Sequence, residues 1–424
     1  MKKYMNRIAD NILKQRLEEK GAILLEGAKW CGKTTTAEQL AKSIIYMQNP
    51  KNRKQNIQLA EINPELILKG DTPRLIDEWQ LAPVLWDAVR FEIDQRDAWG
   101  QFILTGSTTP VDKSDISHSG TGRIGRMLMR PMSLLESGES NGEVSLEKLF
   151  HGETDIASIN NLELTDMAFL VCRGGWPKAI HASEQVALRQ AIDYVDAVVE
   201  IDMNQYDGIE RDPSRIRRLV RSYARNISSQ AKLSKIYQDM LTNEVETISQ
   251  DTIYAYIRAL KEMFVIEELE AWNPNLRSKT AIRTSNTLHF VDPSIATAAL
   301  GISPEDLIND LNTFGLVFES MCVRDLRVYG DYLDGKIYHY RDQSGLECDA
   351  VIHLRNGKYG LIEIKLGGDK LIEEGAENLQ KLQKRIDTSK MKNPSFMMVL
   401  TATGNYAYKR KDGVLVVPVG CLGI

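Results

Sequence analysis

The spacing of apolar and polar positions changes several times along the chain, and each change predicts an element. AILLEG (22–27) is a short apolar run ending in glycine, the pattern of a buried strand. TTAEQLAKSII behind it has helical spacing. RLIDEWQ and QFILTGST repeat the strand pattern, apolar residues running into polar ones at Asp77-Glu78 and at Thr105 to Ser107. Strands alternating with helices predict a parallel sheet that binds its ligand at the strand ends. The first twenty residues read as an amphipathic helix.

The middle of the chain turns helical. Residues 182–226 are rich in helix formers, with Arg215, Arg217, Arg218, Arg221 and Arg225 bunched together. LSKIYQDM and then ISQDTIYAYIRALKEMFVIEELEAW predict a short helix, a turn, an apolar-periodic helix and a strand, a helix-turn-helix pattern. NPNLRSKTAIRTSNTLHFVD would follow it as a wing. Thr252, Tyr254 and Arg258 would then face a DNA groove, with Arg277, Lys279 and Arg283 on the wing. A protein-binding winged helix is the alternative, because Glu262, Glu267, Glu268 and Glu270 offset the arginines.

The last part has another rhythm. GLVFESMCVRDLRVYG predicts an amphipathic helix, and KIYHYRD and LECDAVIHL two alternating strands joined tightly through Gly345. GKYGLIEIKLG is a third strand, EEGAENLQKLQKRI a helix, and SFMMVL and VLVVPV two more strands. The order is αβββαββ.

Composition narrows the choices. At 424 residues the chain has room for two to four domains. A net charge of −5 carries no global nucleic-acid signal, so DNA contact would need local patches. Five scattered cysteines without CxxC spacing argue for reduced thiols in the cytoplasm and against a zinc site. No apolar run approaches membrane-spanning length, so no membrane partner is expected.

Two clusters carry chemistry. Gly27, Gly32, Lys33 and Thr34 satisfy G-x-x-x-x-G-K-[ST] between a strand and a helix. Such glycines let backbone N–H groups curl around phosphate, and the helix start adds a positive dipole end. Lys33 would reach the β- and γ-phosphates of ATP, Thr34 would ligate Mg²⁺, and Thr35 would complete the nucleotide site. Trp30 and Cys31 occupy variable positions of the loop. Asp77 would hold Mg²⁺ and Glu78 polarise the attacking water. Thr105 or Ser107 would sense the γ-phosphate. Arg123 or Arg126 would act as a finger on a neighbouring subunit's nucleotide, which requires a homo-oligomer; a solvated basic loop is the alternative.

The second cluster is Asp349 on one predicted strand with Glu363 and Lys365 on the next. A strand period of two puts Glu363 and Lys365 on one face. The two acids would bind Mg²⁺, and Lys365 would orient or deprotonate water. Glu319 on the preceding helix would add a metal ligand. Glu347, Arg341 and Gln380 are supporting candidates.

YMNRIADNIL, the loop itself, LIDEWQ, ILTGS, GRIGRMLMRPMSLLE and CRGGWPKAI occur in this order. With the late acidic motif, they resemble prokaryotic AAA+-type ATPases whose C-terminal domain of uncharacterised function is similar to PD-(D/E)XK nucleases. Trp30 is a minor departure from that family's loops. The Glu319 arrangement is similar to the first-helix glutamate of archaeal Holliday-junction resolvases. The expected fold class is α/β: an AAA+-like P-loop ATPase domain (1–180), a helical and winged-helix region (181–300) and a PD-(D/E)XK-like domain (301–424). The expected function couples ATP turnover to DNA binding or metal-dependent DNA cleavage. The alternatives are an ATP-switched regulatory scaffold whose nuclease-like domain is inactive and binds a partner, and a signalling or toxin-like module.

Overall fold

A computed structural model describes residues 4–107, 119–241, 249–274, 285–389 and 391–424. The chain separates into two compact units. The first holds Met1–Pro131, Asn204–Ile209 and Ala259–Val265, and the second the remainder.

The first unit is built on a parallel sheet of β1 (Ala22–Glu26), β2 (Ser43–Tyr46), β3 (Arg74–Asp77), β4 (Phe102–Gly106) and β5 (Ile124–Leu128), in the order β2-β3-β4-β1-β5. The unbroken apolar runs of β1 and β4 are buried nearly throughout, as central strands covered on both faces must be. The edge strand β2 alternates between half-buried and exposed. Trp79, Trp86, Val89 and Ile93 pack on Leu24, Ile76, Phe102 and Leu104. The helix Ile8–Leu17 buries Ile8, Ile12, Leu13 and Leu17, a helical stripe. Because all strands run one way, Glu26, Asp77 and Gly106 end at the same edge. Register pairs Leu25 with Thr105 and Thr105 with Asp77.

The second unit contains β6 (Val144–Ser145), β7 (Ser158–Ile159), β8 (Gly335–Arg341), β9 (Glu347–Leu354), β10 (Tyr359–Lys365), β11 (Phe396–Thr401), β12 (Tyr406–Lys409), β13 (Leu415–Pro418) and β14 (Leu422–Gly423). Seven of them form one sheet, β7-β12-β13-β11-β10-β9-β8, and β6 pairs with β14. β8, β9 and β10 are antiparallel, whereas β10, β11 and β13 are parallel. β12 adds a strand to the expected αβββαββ order. Only four residues long and half exposed, it has too little pattern to stand out, yet it carries β7 into the sheet. The helix Asp369–Arg385 lays Ala376, Leu379 and Leu382 on Tyr359, Leu361 and Val399. Earlier in the unit come the helices Glu184–Ala197, Pro213–Arg225 and Leu233–Leu241. The helix Gln250–Glu262 is followed by antiparallel bridges between Ile266 and Phe290 and between Leu269 and Thr287. Arg277, Lys279 and Arg283 lie outside the described residues.

One buried cation organises much of this unit. Arg324, 2% exposed on the 22-residue helix Leu311–Tyr332, donates to Asp292 at 2.9 Å and pairs with Asp325 at 2.7 Å. Asp292 also accepts from the Gly175 and Ser294 N–H groups, and Asp325 from that of Leu134. Trp176 donates through Nε1 to Ser294 Oγ at 2.9 Å. A Cβ at Gly174 would fall 2.3 Å from Asp292 Oδ1, and one at Gly175 2.1 Å from the Met132 carbonyl. The two glycines of CRGGWPKAI are thus dictated by close approach.

Removing one partner of a buried ion pair strands the others. Arg324→Met is expected to destabilise the protein by about 3–5 kcal/mol. Urea unfolding of the full chain measures this, and adding Asp292→Asn and Asp325→Asn to the variant should recover part of the loss.

Candidate functional site

The loop after β1 has the backbone its glycines predict. Gly27 and Gly32 take φ of 148° and 104°, and a Cβ at Gly27 would lie 2.1 Å from the Met129 carbonyl oxygen. The helix Lys33–Leu40 begins directly behind Gly32. Lys33 is buried and curls back, its Nζ donating to the Gly27 and Ala28 carbonyls at 2.8 Å each. Trp30 stands 43% exposed with φ 67°, while Cys31 turns inward, its Sγ 3.5 Å from the Met129 carbonyl. The loop is held from behind by Arg7, which donates to the carbonyls of Cys31 at 2.9 Å and Arg130 at 2.8 Å. Tyr4 joins in through Asp10 and Thr36. YMNRIADNIL was legible as a motif, but the reach of Arg7 across 123 positions was not.

Asp77 is the hub of the site. Its Oδ1 accepts from Thr34 Oγ1 at 2.7 Å and from Thr105 Oγ1 at 2.6 Å, and its Oδ2 accepts from Gln48. Thr34 and Asp77 offer hard oxygens already facing each other, a set that fits Mg²⁺. Glu78 follows in the left-handed region, with Gln80 and, at 3.5 Å, Ser107 donating to its Oε2. Burial raises the Glu78 carboxyl above the usual range, and the Lys33 charge opposes this. Both candidate sensors therefore touch an acid, Thr105 on Asp77 and Ser107 on Glu78. Thr35 is exposed at the start of the helix.

Arg123 is placed elsewhere. It precedes β5 beside Ala22, at the opposite end of the strands from the loop, and pairs with Asp94 at 2.8 Å. It lies apart from its own subunit's phosphate loop, as both a finger toward a neighbouring subunit and a solvated basic residue would. Arg126 pairs with Glu26 at 2.9 Å and lies over the Trp86 ring.

In the second unit, Asp349, Glu363 and Lys365 come together. The pairing of β9 with β10 ends at Ala350 and Ile362. Beyond it the Ile364 N–H is taken by Asp349 Oδ2 at 2.7 Å, so the acid sits where the ladder opens. Lys365 Nζ donates to Asp349 at 3.0 Å and to Glu363 at 2.7 Å. Glu363 is buried, which pushes its carboxyl up to about 8, with the Asp349 charge adding to the rise. Glu319 is also raised, by burial first and then by Asp349. Two carboxylates thus contact one ammonium and Glu319 feels the charge of all three, an excess of acid that protonation or a divalent cation would relieve. The donors are of the class Mg²⁺ takes, but among the described residues no three acids are already gathered to hold an ion.

The helix behind the motif contributes Asn378, which the sequence reading did not single out. Its Nδ2 donates to Glu363 Oε1 at 2.9 Å and to the Glu347 carbonyl at 2.8 Å. Gln380, two positions along the helix, faces elsewhere, and no local signal separates the two. Glu347 pairs with Arg341 at 2.9 Å.

On the helix Gln250–Glu262, Ile253, Tyr256, Ile257 and Leu260 are buried, while Thr252 and Tyr254 are half-buried and Arg258 is exposed. Of the arginine cluster, Arg217 bonds Asp196 and Glu200, both at 2.8 Å. Among the described residues no helix is long and apolar enough to cross a membrane.

Residues 19–137 match the AAA domain family. Residues 164–306 and 314–422 match two domains of unknown function, DUF8612 and DUF4143. No curated protein matches the sequence. Among solved structures, a Walker-type ATPase of Pyrococcus abyssi is similar at 16% identity over 70% of this chain and 96% of its own, with a TM-score of 0.41. A structure described as a DNA replication initiation factor is similar at 16% identity over 62% of this chain and 89% of its own, with a TM-score of 0.28. Those two scores carry no argument about function. The loop geometry and the match together make residues 19–137 a P-loop ATPase-like domain similar to the AAA domain family.

Proposed function

We propose that the protein hydrolyses ATP and couples the turnover to DNA binding or to metal-dependent DNA cleavage. Lys33 would leave its carbonyl partners for the β- and γ-phosphates, and the loop N–H groups would hold the phosphate oxygens. A Mg²⁺ ion held by Thr34 and Asp77 would neutralise charge developing on the phosphates. Glu78 would take a proton from the attacking water, a task suited to its raised carboxyl.

The observation that carries the DNA half is the contact of Lys365 with both Asp349 and Glu363. Read as a PD-(D/E)XK-like centre, the acids with Glu319 would hold a divalent cation, which would neutralise charge on the scissile phosphate. Lys365 would orient the attacking water. The helices Leu233–Leu241 and Gln250–Glu262, read as a winged helix, would present Thr252, Tyr254 and Arg258 to a groove. A second reading is a regulatory ATPase whose inactive C-terminal domain binds a partner. It is favoured by the ungathered acids. Action of Arg123 or Arg126 on a neighbouring nucleotide would make the active form a homo-oligomer, with turnover per chain rising with protein concentration.

Two sets of variants test this. Lys33→Ala is expected to abolish turnover, and Glu78→Gln to keep ATP binding while lowering turnover at least ~10²-fold. Steady-state phosphate release and equilibrium nucleotide binding measure both, and full turnover by Glu78→Gln refutes its role. For the second centre, linear, nicked, branched and single-stranded DNA are incubated with Mg²⁺, with and without ATP. Cleavage is expected to be lost on Glu363→Ala or Asp349→Ala together with divalent binding. On Lys365→Ala cleavage should be lost with binding retained, since an ammonium is no ligand for a hard cation. No cleavage in any nucleotide state and no divalent binding would select the scaffold reading.

A further inference from the structure

Glu78 has a neighbour that the phosphate loop does not account for. Gln80 lies on the short 3-10 turn Trp79–Leu81, anchored by the buried Trp79. Its Nε2 donates to Glu78 Oε2, while its Oε1 is buried and accepts no hydrogen bond among the described residues. A buried amide oxygen without a donor is costly and uncommon, and at a catalytic site it marks where a ligand's proton belongs.

The surroundings keep this amide in place. A Cβ at Gly106 would lie 2.9 Å from Gln80 Oε1 and 3.2 Å from Trp79 Nε1. The glycine between Thr105 and Ser107 therefore leaves the space that the amide occupies. Glu78 itself is held at φ 57°, ψ 48°, a conformation that residues other than glycine adopt seldom and at an energetic cost. Strain of this kind persists where neighbours over-determine it, and here Gln80 and Ser107 both grip the same carboxylate oxygen.

We propose that Gln80 is a further residue of the hydrolytic step, an inference that rests on the ATP-hydrolysing function proposed above. Its N–H fixes Glu78 Oε2 and turns Oε1 to the attacking water, and its own Oε1 accepts that water's second hydrogen. Water is then held by two acceptors, with a lone pair aimed at the γ-phosphorus. As the new oxygen–phosphorus bond forms, the bond to the bridging oxygen breaks and ADP leaves with the electron pair. One proton passes to Glu78 Oε1 and on to phosphate, while the second stays on the oxygen that becomes part of phosphate. Two fixed acceptors orient the water before reaction, which lowers the entropic part of the barrier.

The test uses the full-length protein and four variants. Gln80→Met keeps the length of the side chain and removes both polar atoms. It is expected to lower kcat at least ~10-fold, less than the ~10²–10⁴-fold of a general base because Glu78 itself remains. Its dissociation constant for a fluorescent ATP analogue should stay within about twofold, since the residue acts on the transition state and not on ground-state binding. Glu78→Gln/Gln80→Met should turn over no more slowly than Glu78→Gln alone, because Gln80 acts with Glu78. Gly106→Ala, which keeps Gln80 but displaces its amide, should show the same split of kcat from affinity, and it decides the matter if Gln80→Met does not fold. Wild-type kcat in Gln80→Met or Gly106→Ala, or losses that multiply in the double variant, overturn the inference alone. No turnover by the wild-type protein refutes the hydrolytic function, and the inference with it.

Discussion

The second unit depends on the charge balance around Arg324. Its guanidinium is the buried partner of two buried aspartates, and those aspartates hold backbone from three further places: Leu134, Gly175 and the start of the helix at Ser294. Burial penalises each charge alone, and the set is tolerable only complete. Asp325 is held up to about 6 by burial even with Arg324 beside it. The same helix carries Glu319 little more than a turn before Arg324. The ion network that fixes this helix therefore also fixes an acid of the Asp349–Glu363–Lys365 centre.

The two functional centres have opposite electrostatic character. In the loop after β1, a buried lysine and curled backbone gather positive character, and Lys33 donates to two carbonyls. In the acidic centre, two carboxylates contact one ammonium, and burial raises Glu363 and Glu319. A phosphate ligand would complete the first, whereas a cation or protons would complete the second. Each centre sits at the end of a strand. There the backbone ladder stops and its remaining donors and acceptors turn to side chains, as with the Ile364 N–H and Asp349.

Local chemistry was plain in the chain itself. The glycines, Lys33 and Thr34 act within eight consecutive positions, and their geometry follows from a strand, a turn and a helix start. Glu363 and Lys365 share a face because a strand repeats every two residues. The acidic end of β3 and the polar end of β4 were equally visible, since both apolar runs stop at buried polar residues. What spacing cannot convey is which distant group completes a site. Gln48 on Asp77, Arg7 on Cys31, Asn378 on Glu363 and Arg324 between two aspartates are all partners found through folding. Arg123 belongs with them, since its ion pair with Asp94 joins residues 29 positions apart. The sequence alone determined the AAA-type ATPase core, because period and motif are short-range properties of the chain. The tertiary structure decided the second set of contacts, because buried charges and amides choose partners by distance in space, which the order of residues does not record.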